Sequence, residues 1–113
     1  MDWNKLESES DLSNLILFSN TYPDKYFLIF KHSTRCPVSV MSLYRLEKNW
    51  SSVKVTITPY FLDLIKFRSV SNQIEESFGV RHKSPQVLLI KNGKCIYHQS
   101  HLLISVEELN QQL

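Results

Sequence analysis

The stretch "YFLIFKHSTRCPVSV", residues 26–40, decides how this chain folds. It begins with five apolar or aromatic residues in a row, which is typical of a strand buried on both faces. Farther along, Cys36 is followed directly by Pro37, and proline is favoured at the first position of a helix because its missing N–H has no intrahelical partner there. Apolar residues then recur at helical spacing up to about Trp50. The stretch therefore predicts a strand, a short loop and a helix, with a cysteine at the start of the helix.

The flanking sequence predicts five further elements by the same signals. Two segments open with a serine capping box, one places its apolar residues along a single helical stripe before a glycine, and Asn92-Gly93 is a strong hairpin turn. The predicted elements are a helix over 8–20 from Ser8 and Asp11, a second strand over 53–65 with Pro59 at its entrance or on a bulge, a helix over 69–78 that stops at Gly79, a hairpin over 86–98, and a closing helix over 105–113 from Ser105 and Glu108.

The order of these elements describes an α/β protein with a thioredoxin-like fold, in which a four-stranded mixed sheet is flanked by helices. The length suits one compact unit, so residues 1–113 are expected to form a single thioredoxin-like domain. This fold keeps a cis peptide bond before a proline that enters the third strand and faces the cysteine loop. "HKSPQ", residues 82–86, assigns that position to Pro85. The backbone of Ser84 would then be open to pair with an extended substrate that contains a thiol.

Composition argues against several classes of function. Thirteen basic and eleven acidic residues are mixed along the chain and leave a net charge of +2, so no basic face for nucleic acid is expected. The polar, acidic start "MDWNKLESESD" is the opposite of a signal peptide, and no apolar run approaches the roughly 20 residues that span a bilayer. We therefore expect a cytoplasmic protein without a membrane partner. Under reducing conditions Cys36 and Cys95 are expected to be free thiols.

Cys36 is the candidate nucleophile because its predicted position favours the thiolate, the reactive form of cysteine. Free N–H groups in the first turn of a helix and the positive end of its dipole attract an anion. Arg35 adjoins Cys36 and Lys31 is near in sequence, so both can add positive charge. Ser39 follows about one turn later and can offer its hydroxyl to the thiolate. The alternative is that Cys36 is a small, inert, buried residue.

The spacing of Cys36 and Ser39 also predicts how a disulfide would be resolved. A dithiol Cys-x-x-Cys motif carries its resolving thiol where this chain has Ser39, and serine cannot resolve a disulfide. An active protein of this sequence is therefore a monothiol system that needs a thiol from another molecule. Cys95, just after the hairpin turn, is expected to be structural. The histidines offer no thiol or carboxylate at ligand spacing, so no metal site is predicted.

Three segments carry a resemblance to a known family: "KHSTRCPVS" (31–39), "SNQIEESFGVRHKSPQVLLIKNGK" (71–94) and "YHQSH" (97–101). They resemble the YtxJ-like monothiol bacilliredoxins of bacillithiol-using Gram-positive bacteria, and the likeness extends from about residue 26 to residue 104. The resemblance implies a thioredoxin fold and the removal of bacillithiol from S-bacillithiolated proteins. Cys36 would take the bacillithiol as a mixed disulfide, and a second bacillithiol, a bacillithiol disulfide reductase or another thiol system would regenerate it.

Bacillithiol would act as a co-substrate, with no bound cofactor. Its malate group is anionic, so nearby cations suit it as ligands. The implied site has Cys36 as the catalytic residue. Its supporting residues are Arg35, Pro37 and Ser39, and its substrate-binding residues are Lys31, Thr34, Arg81, His82, Ser84 and Pro85.

Two other functions stay open on the sequence. One is a non-catalytic thioredoxin-like module that holds partners in the groove beside Pro85. The other is an iron–sulfur carrier like the monothiol glutaredoxins, which use Cys-Gly-Phe-Ser and a glycine pair after the cis proline. This chain has Cys-Pro-Val-Ser and no such glycine pair, which disfavours the carrier.

Overall fold

The computed structural model describes every residue from Met1 to Leu113. Its five strands and four helices are listed here in chain order: β1 Asn4–Lys5, α1 Glu9–Thr21, β2 Tyr26–His32, α2 Pro37–Asn49, β3 Ile57–Asp63, α3 Arg68–Phe78, β4 Gln86–Lys91, β5 Lys94–Ser100 and α4 Val106–Asn110. Short 3-10 turns cover Trp50–Ser52 and His101–Leu103. No helix has the length and apolar character needed to cross a membrane.

The strands form one mixed sheet in the order β1-β3-β2-β4-β5. Strands β1, β3 and β2 run parallel, β4 is antiparallel to β2, and β5 is antiparallel to β4. The predicted α/β class and mixed sheet are confirmed, but the sheet has five strands instead of the four expected. The additional strand, β1, consists of two exposed residues without apolar alternation. It forms only because the edge of β3 offers free backbone groups, such as the Phe61 carbonyl that accepts the Leu6 N–H at 2.9 Å.

The core lies on both faces of the sheet, which explains the unbroken apolar run in β2. Alternate strand residues point to opposite faces. Phe27 and Ile29 pack with the buried residues of α1 and α3, whereas Leu28 and Phe30 pack with those of α2 and α4. Residues next to each other in β2 therefore meet different helices, and this alternation continues to the end of the strand, where the polar residues begin.

The strand predicted over 53–65 is shorter than expected. It begins at Ile57 because the neighbouring strand β2 begins opposite it, at Tyr26, and residues before Ile57 have no strand beside them. Pro59 lies within β3, where its carbonyl accepts the Asn4 side-chain amide at 3.2 Å. That carbonyl faces the β1 edge, so the missing N–H of Pro59 removes no bond to β2.

The predicted capping residues and the predicted end of α3 are confirmed, but the closing helix predicted over 105–113 ends at Asn110. Beyond it the backbone N–H groups bond to carbonyls three residues back, as in tight turns. Ser8 accepts the Asp11 N–H at 3.0 Å, and Ser105 accepts the Glu108 N–H at 3.1 Å. Gly79 ends α3 in the left-handed conformation, with φ at 67°. Residues 92–93 form the two-residue turn of the predicted hairpin, both with positive φ.

Candidate active site

Cys36 caps the N-terminal end of α2, where it is half-buried. Its backbone is extended, and its carbonyl accepts the first helical hydrogen bond from the Val40 N–H at 3.1 Å. Pro37 occupies the first helical position, the first turn contains no acidic side chain, and the sulfur makes no capping hydrogen bond. The helix N-terminus, with its free N–H groups and the positive end of its dipole, therefore lies next to Cys36 without an acidic side chain to compete for it.

Residues 33–36, between β2 and α2, are hereafter called the cysteine loop. Ser39 lies fully buried in the first turn of α2 and connects this loop to the sheet. Its hydroxyl accepts the Ser33 N–H at 3.0 Å and lies 2.7 Å from Nδ1 of His32. The Ser33 carbonyl in turn accepts the Cys36 N–H at 3.2 Å. The hydrogen bond expected between Ser39 and the Cys36 sulfur is not formed. The alternation of β2 directs His32 to the α2 face, and its ring occupies the hydroxyl instead.

The His32 ring is held between aromatic side chains. It is 4% exposed, and its centroid lies 5.6 Å from that of Phe30 and 5.3 Å from that of Phe61. Burial lowers the pKa of His32 below its usual 6.5, and the smaller effects of Asp63 and Ser39 oppose that shift. A neutral ring that accepts the Ser39 hydroxyl proton leaves the serine oxygen free to accept from Ser33. This arrangement satisfies each of these buried polar groups.

The loop before β4 lies beside the cysteine loop. Lys31 is paired with Gln86 between β2 and β4, so the residues just before Gln86 come next to the end of β2. The Ser84–Pro85 peptide bond is cis, as the fold assignment predicts. The buried Pro85 carbonyl accepts the His101 N–H at 3.0 Å. Residues 81–85 are hereafter called the proline loop.

Side chains outside the proline loop hold it in place. Gln86 is 1% exposed, donates to the Arg81 carbonyl at 3.0 Å and accepts from the Lys83 N–H at 3.4 Å. Glu75 on α3 accepts the His82 N–H at 2.5 Å. Neither residue was predicted from the sequence to belong to the site. Gln86 could have been identified from the sequence, because it is a polar residue at the start of an apolar strand. Glu75 could not, because it resembles any other exposed helical glutamate.

Lys31, which was predicted from the sequence as a substrate-binding residue, is buried. Its side chain has no exposed area, because β2 directs residue 31 to the α3 face, opposite to His32. Its Nζ lies 2.6 Å from Nδ1 of His82. Burial lowers the pKa of Lys31 to about 8, while the carboxylate of Glu75 raises it and Arg68 lowers it further. A ligand at Cys36 cannot touch this ammonium directly.

The remaining predicted residues fall into two groups. Thr34 and Arg35 are exposed in the loop before Cys36, and Arg81 and Lys83 are exposed in the proline loop. Ser84 is half-buried, and its hydroxyl oxygen is buried without a hydrogen-bond partner. The structure thus brings both loops to one end of the sheet and leaves three cations there open to solvent.

Cys95 lies far from Cys36. It is opposite Ile90 in β5, and Ile90 is opposite Phe27 near the start of β2, whereas Cys36 lies beyond the end of β2. The five residue-to-residue steps from Phe27 to His32 span about 16 Å at roughly 3.3 Å per step, well over the ~7 Å between Cα atoms that a disulfide allows. The Cys95 thiol donates to the Tyr97 carbonyl at 3.2 Å, and burial raises its pKa. This geometry supports the structural role expected for Cys95.

The buried imidazole of His32 and the half-buried imidazole of His82 predict a loss of stability in mild acid. Burial lowers the pKa of His32, and burial together with the charge of Lys31 lowers the pKa of His82. Below 6.5 the unfolded chain therefore binds more protons than the folded one, so the free energy of unfolding falls as the pH falls. We expect a lower urea midpoint at about pH 5 than at about pH 7. NMR titration checks the cause: ring midpoints at or above 6.5 for both histidines would contradict it.

Comparison with known protein families gives a match over almost the whole chain. The model of the family described as monothiol bacilliredoxin BrxC matches residues 4–109, which include both loops and all the site residues named above. The residues outside the match are the first three and the last four.

Solved structures show the same fold. One described as having a thioredoxin fold is 28% identical to this chain, with a TM-score of 0.81, and the alignment covers 96% of this chain and 91% of the other. Thioredoxin from Fasciola hepatica is 15% identical with a TM-score of 0.71, covering 96% and 93% of the two chains. Thioredoxin from Trypanosoma brucei brucei is 13% identical with a TM-score of 0.74, covering 98% and 87%. The predicted thioredoxin-like fold is confirmed.

Proposed function

The chain belongs to the monothiol bacilliredoxin family of thiol redox proteins, and on this premise we propose that it removes bacillithiol from S-bacillithiolated proteins in the cytoplasm. The observation that carries the proposal is Cys36 at the N-terminus of α2, with a serine where a resolving cysteine would stand. The residue is only half-buried, and it stands at a helix N-terminus, where free N–H groups and the helix dipole attract anions.

The exchange proceeds in two steps without net oxidation. The Cys36 thiolate attacks the bacillithiol sulfur of the mixed disulfide, the old S–S bond breaks, and the repaired protein leaves as a thiolate. Bacillithiol is then bound to Cys36 through a new S–S bond. A second bacillithiol thiolate attacks the capping sulfur, frees Cys36 and leaves as bacillithiol disulfide. A bacillithiol disulfide reductase, or another thiol system, reduces that product.

The need for an external thiol follows from the positions of the other candidates. Ser39 is buried and bonded to His32 and Ser33, and it has no sulfur to offer. Cys95 lies toward the opposite end of the sheet. The bacillithiol cap on Cys36 therefore has no internal competitor and persists until another molecule removes it.

The malate group of bacillithiol finds its cations on the two loops. Arg35 is exposed in the cysteine loop, and Arg81 is exposed in the proline loop. Thr34 is also exposed in the loop before Cys36 and can offer a neutral hydrogen bond. Because Lys31 is buried, we propose that the ligand is bound by the loop cations and that Lys31 acts only through His82.

Mass spectrometry of the protein incubated with oxidised bacillithiol tests the proposal. We expect one adduct of bacillithiol mass on Cys36 and none on Cys95, because only Cys36 is at the helix start and the pKa of Cys95 is raised by burial. A Cys36→Ser variant serves as the control that locates the adduct. If neither sulfur becomes modified, the non-catalytic interaction module would replace this proposal.

A further inference from the structure

A buried lysine on the far side of the sheet from Cys36 is unused by the proposed chemistry. Lys31 has no exposed area, and its one hydrogen-bond partner is Nδ1 of His82, at 2.6 Å. Burying an ammonium group is unfavourable unless its partners compensate, and an apolar side chain of similar size would fill the same space without that penalty. A lysine in this buried position therefore indicates a role other than packing.

We propose that Lys31 is a positioning residue that fixes the proline loop through His82 so that the loop can pair with the backbone of a protein substrate. This inference rests on the proposed function, because it concerns how that same site receives its substrate. Lys31 touches neither Cys36 nor the reacting sulfur atoms. It acts on the proline loop through His82, from the α3 face of the sheet.

The hydrogen bonds of His82 explain how Lys31 positions the proline loop. The ammonium donates to Nδ1, so the proton of the neutral ring lies on Nε2. The backbone N–H of His82 donates to the carboxylate of Glu75 on α3. His82 is thus held by its ring and by its backbone at once, and the cis Ser84–Pro85 bond follows two residues later. This attachment therefore fixes the position of the Ser84 backbone, with which the substrate would pair.

The charged groups around Lys31 support the same assignment. Glu75 and Arg68 face it from α3, and His82 faces it from the proline loop. Burial and, after it, the charge of Lys31 lower the pKa of His82 and so favour the neutral ring that can accept. Ser71 lies 3.3 Å from the same Nδ1 and remains as a weaker partner if the lysine is replaced. Loss of the ammonium would therefore loosen His82 without leaving its ring nitrogen unpaired.

The test compares two substrates of different reach in Lys31→Met. One is a short extended peptide whose single cysteine carries bacillithiol, which needs the loop backbone. The other is bis(2-hydroxyethyl) disulfide, which has no peptide backbone and reports only on Cys36. We expect the second-order rate constant for the peptide to fall about tenfold or more, since small misplacements of binding groups have effects of this order. The rate constant for the small disulfide should change less than about twofold.

Lys94→Met provides the matched control, because it removes an exposed lysine from the start of β5, next to the hairpin turn at the other end of the sheet. It should leave both rate constants unchanged. Equal losses on both substrates in Lys31→Met, or no loss on the peptide, would overturn the positioning role while leaving the proposed function intact. If the unmodified protein reacts with neither disulfide, the proposed function fails and this role fails with it.

NMR titration of His82 adds a readout that does not depend on activity. The Lys31 charge lowers the pKa of His82, so this pKa should rise in Lys31→Met and stay unchanged in Lys94→Met. Unfolding in urea should show Lys31→Met to be as stable as the unmodified protein or more so, because a buried charge has been replaced by an apolar side chain. An unchanged His82 titration would contradict the contact on which the inference depends.

Discussion

Replacing Cys36 by serine is expected to abolish the release of bacillithiol from a modified protein, with a fall in rate of at least about a thousandfold, as for the loss of other catalytic nucleophiles. A serine hydroxyl stays protonated near neutrality, and an alkoxide cannot form the S–S bond that the transfer requires. Stability should not fall with the activity. Residue 36 is the N-cap of α2, and serine is among the favoured residues at that position. The measurement is the rate at which free thiol appears on a bacillithiolated protein.

The matched control is Cys95→Ser. The Cys95 thiol donates to the Tyr97 carbonyl, and a serine hydroxyl can donate to the same oxygen. We expect this variant to keep the full rate, because residue 95 is remote from the site. A Cys36→Ser protein that still released bacillithiol, or a Cys95→Ser protein that did not, would show that the wrong sulfur has been assigned to the reaction.

Ser39→Ala is expected to lower the free energy of unfolding by about 2–3 kcal/mol, because it leaves two buried polar groups without their partner. These are the N–H of Ser33 and Nδ1 of His32. Since Ser33 also holds the Cys36 N–H, the cysteine loop should loosen. We therefore expect slower formation of the bacillithiol adduct on Cys36, by about tenfold. Urea unfolding and the adduct rate measured by mass spectrometry give the two values.

Ser42→Ala is the control for this change, because Ser42 is also a buried serine of α2. Its hydroxyl donates to the Val38 carbonyl at 3.0 Å and to the His101 carbonyl at 3.4 Å. Both acceptors are backbone carbonyls, and the Val38 carbonyl belongs to a residue inside the helix. The free energy of unfolding should therefore fall by less than about 1 kcal/mol in Ser42→Ala. If Ser39→Ala and Ser42→Ala proved alike in stability and adduct rate, Ser39 would have no special part in holding the cysteine loop.

The two serines illustrate how far the sequence could predict the site. The spacing of Cys36 and Ser39 predicts that Ser39 follows the cysteine by about one helical turn, and the structure places Cys36 at the N-cap of α2 and Ser39 in its first turn. The expected partner of the Ser39 hydroxyl is different from the one observed. Helical spacing places a side chain on a face, but the competing acceptor, His32, comes from a strand whose position relative to α2 depends on packing.

The order of helices and strands and the cysteine at a helix start follow from local patterns, because apolar periodicity, capping residues and turn signals act over a few residues of the sequence. The cis form of the Ser84–Pro85 bond was predicted only from the fold assigned to that order. The tertiary structure alone decided that Lys31 faces inward to His82, 51 residues away, and that Glu75 and Gln86 hold the proline loop. The short strand β1 belongs to the same class, because it exists only where β3 offers an edge. These contacts join residues that are distant in the chain, and their partners are fixed only when the sheet has brought the elements together.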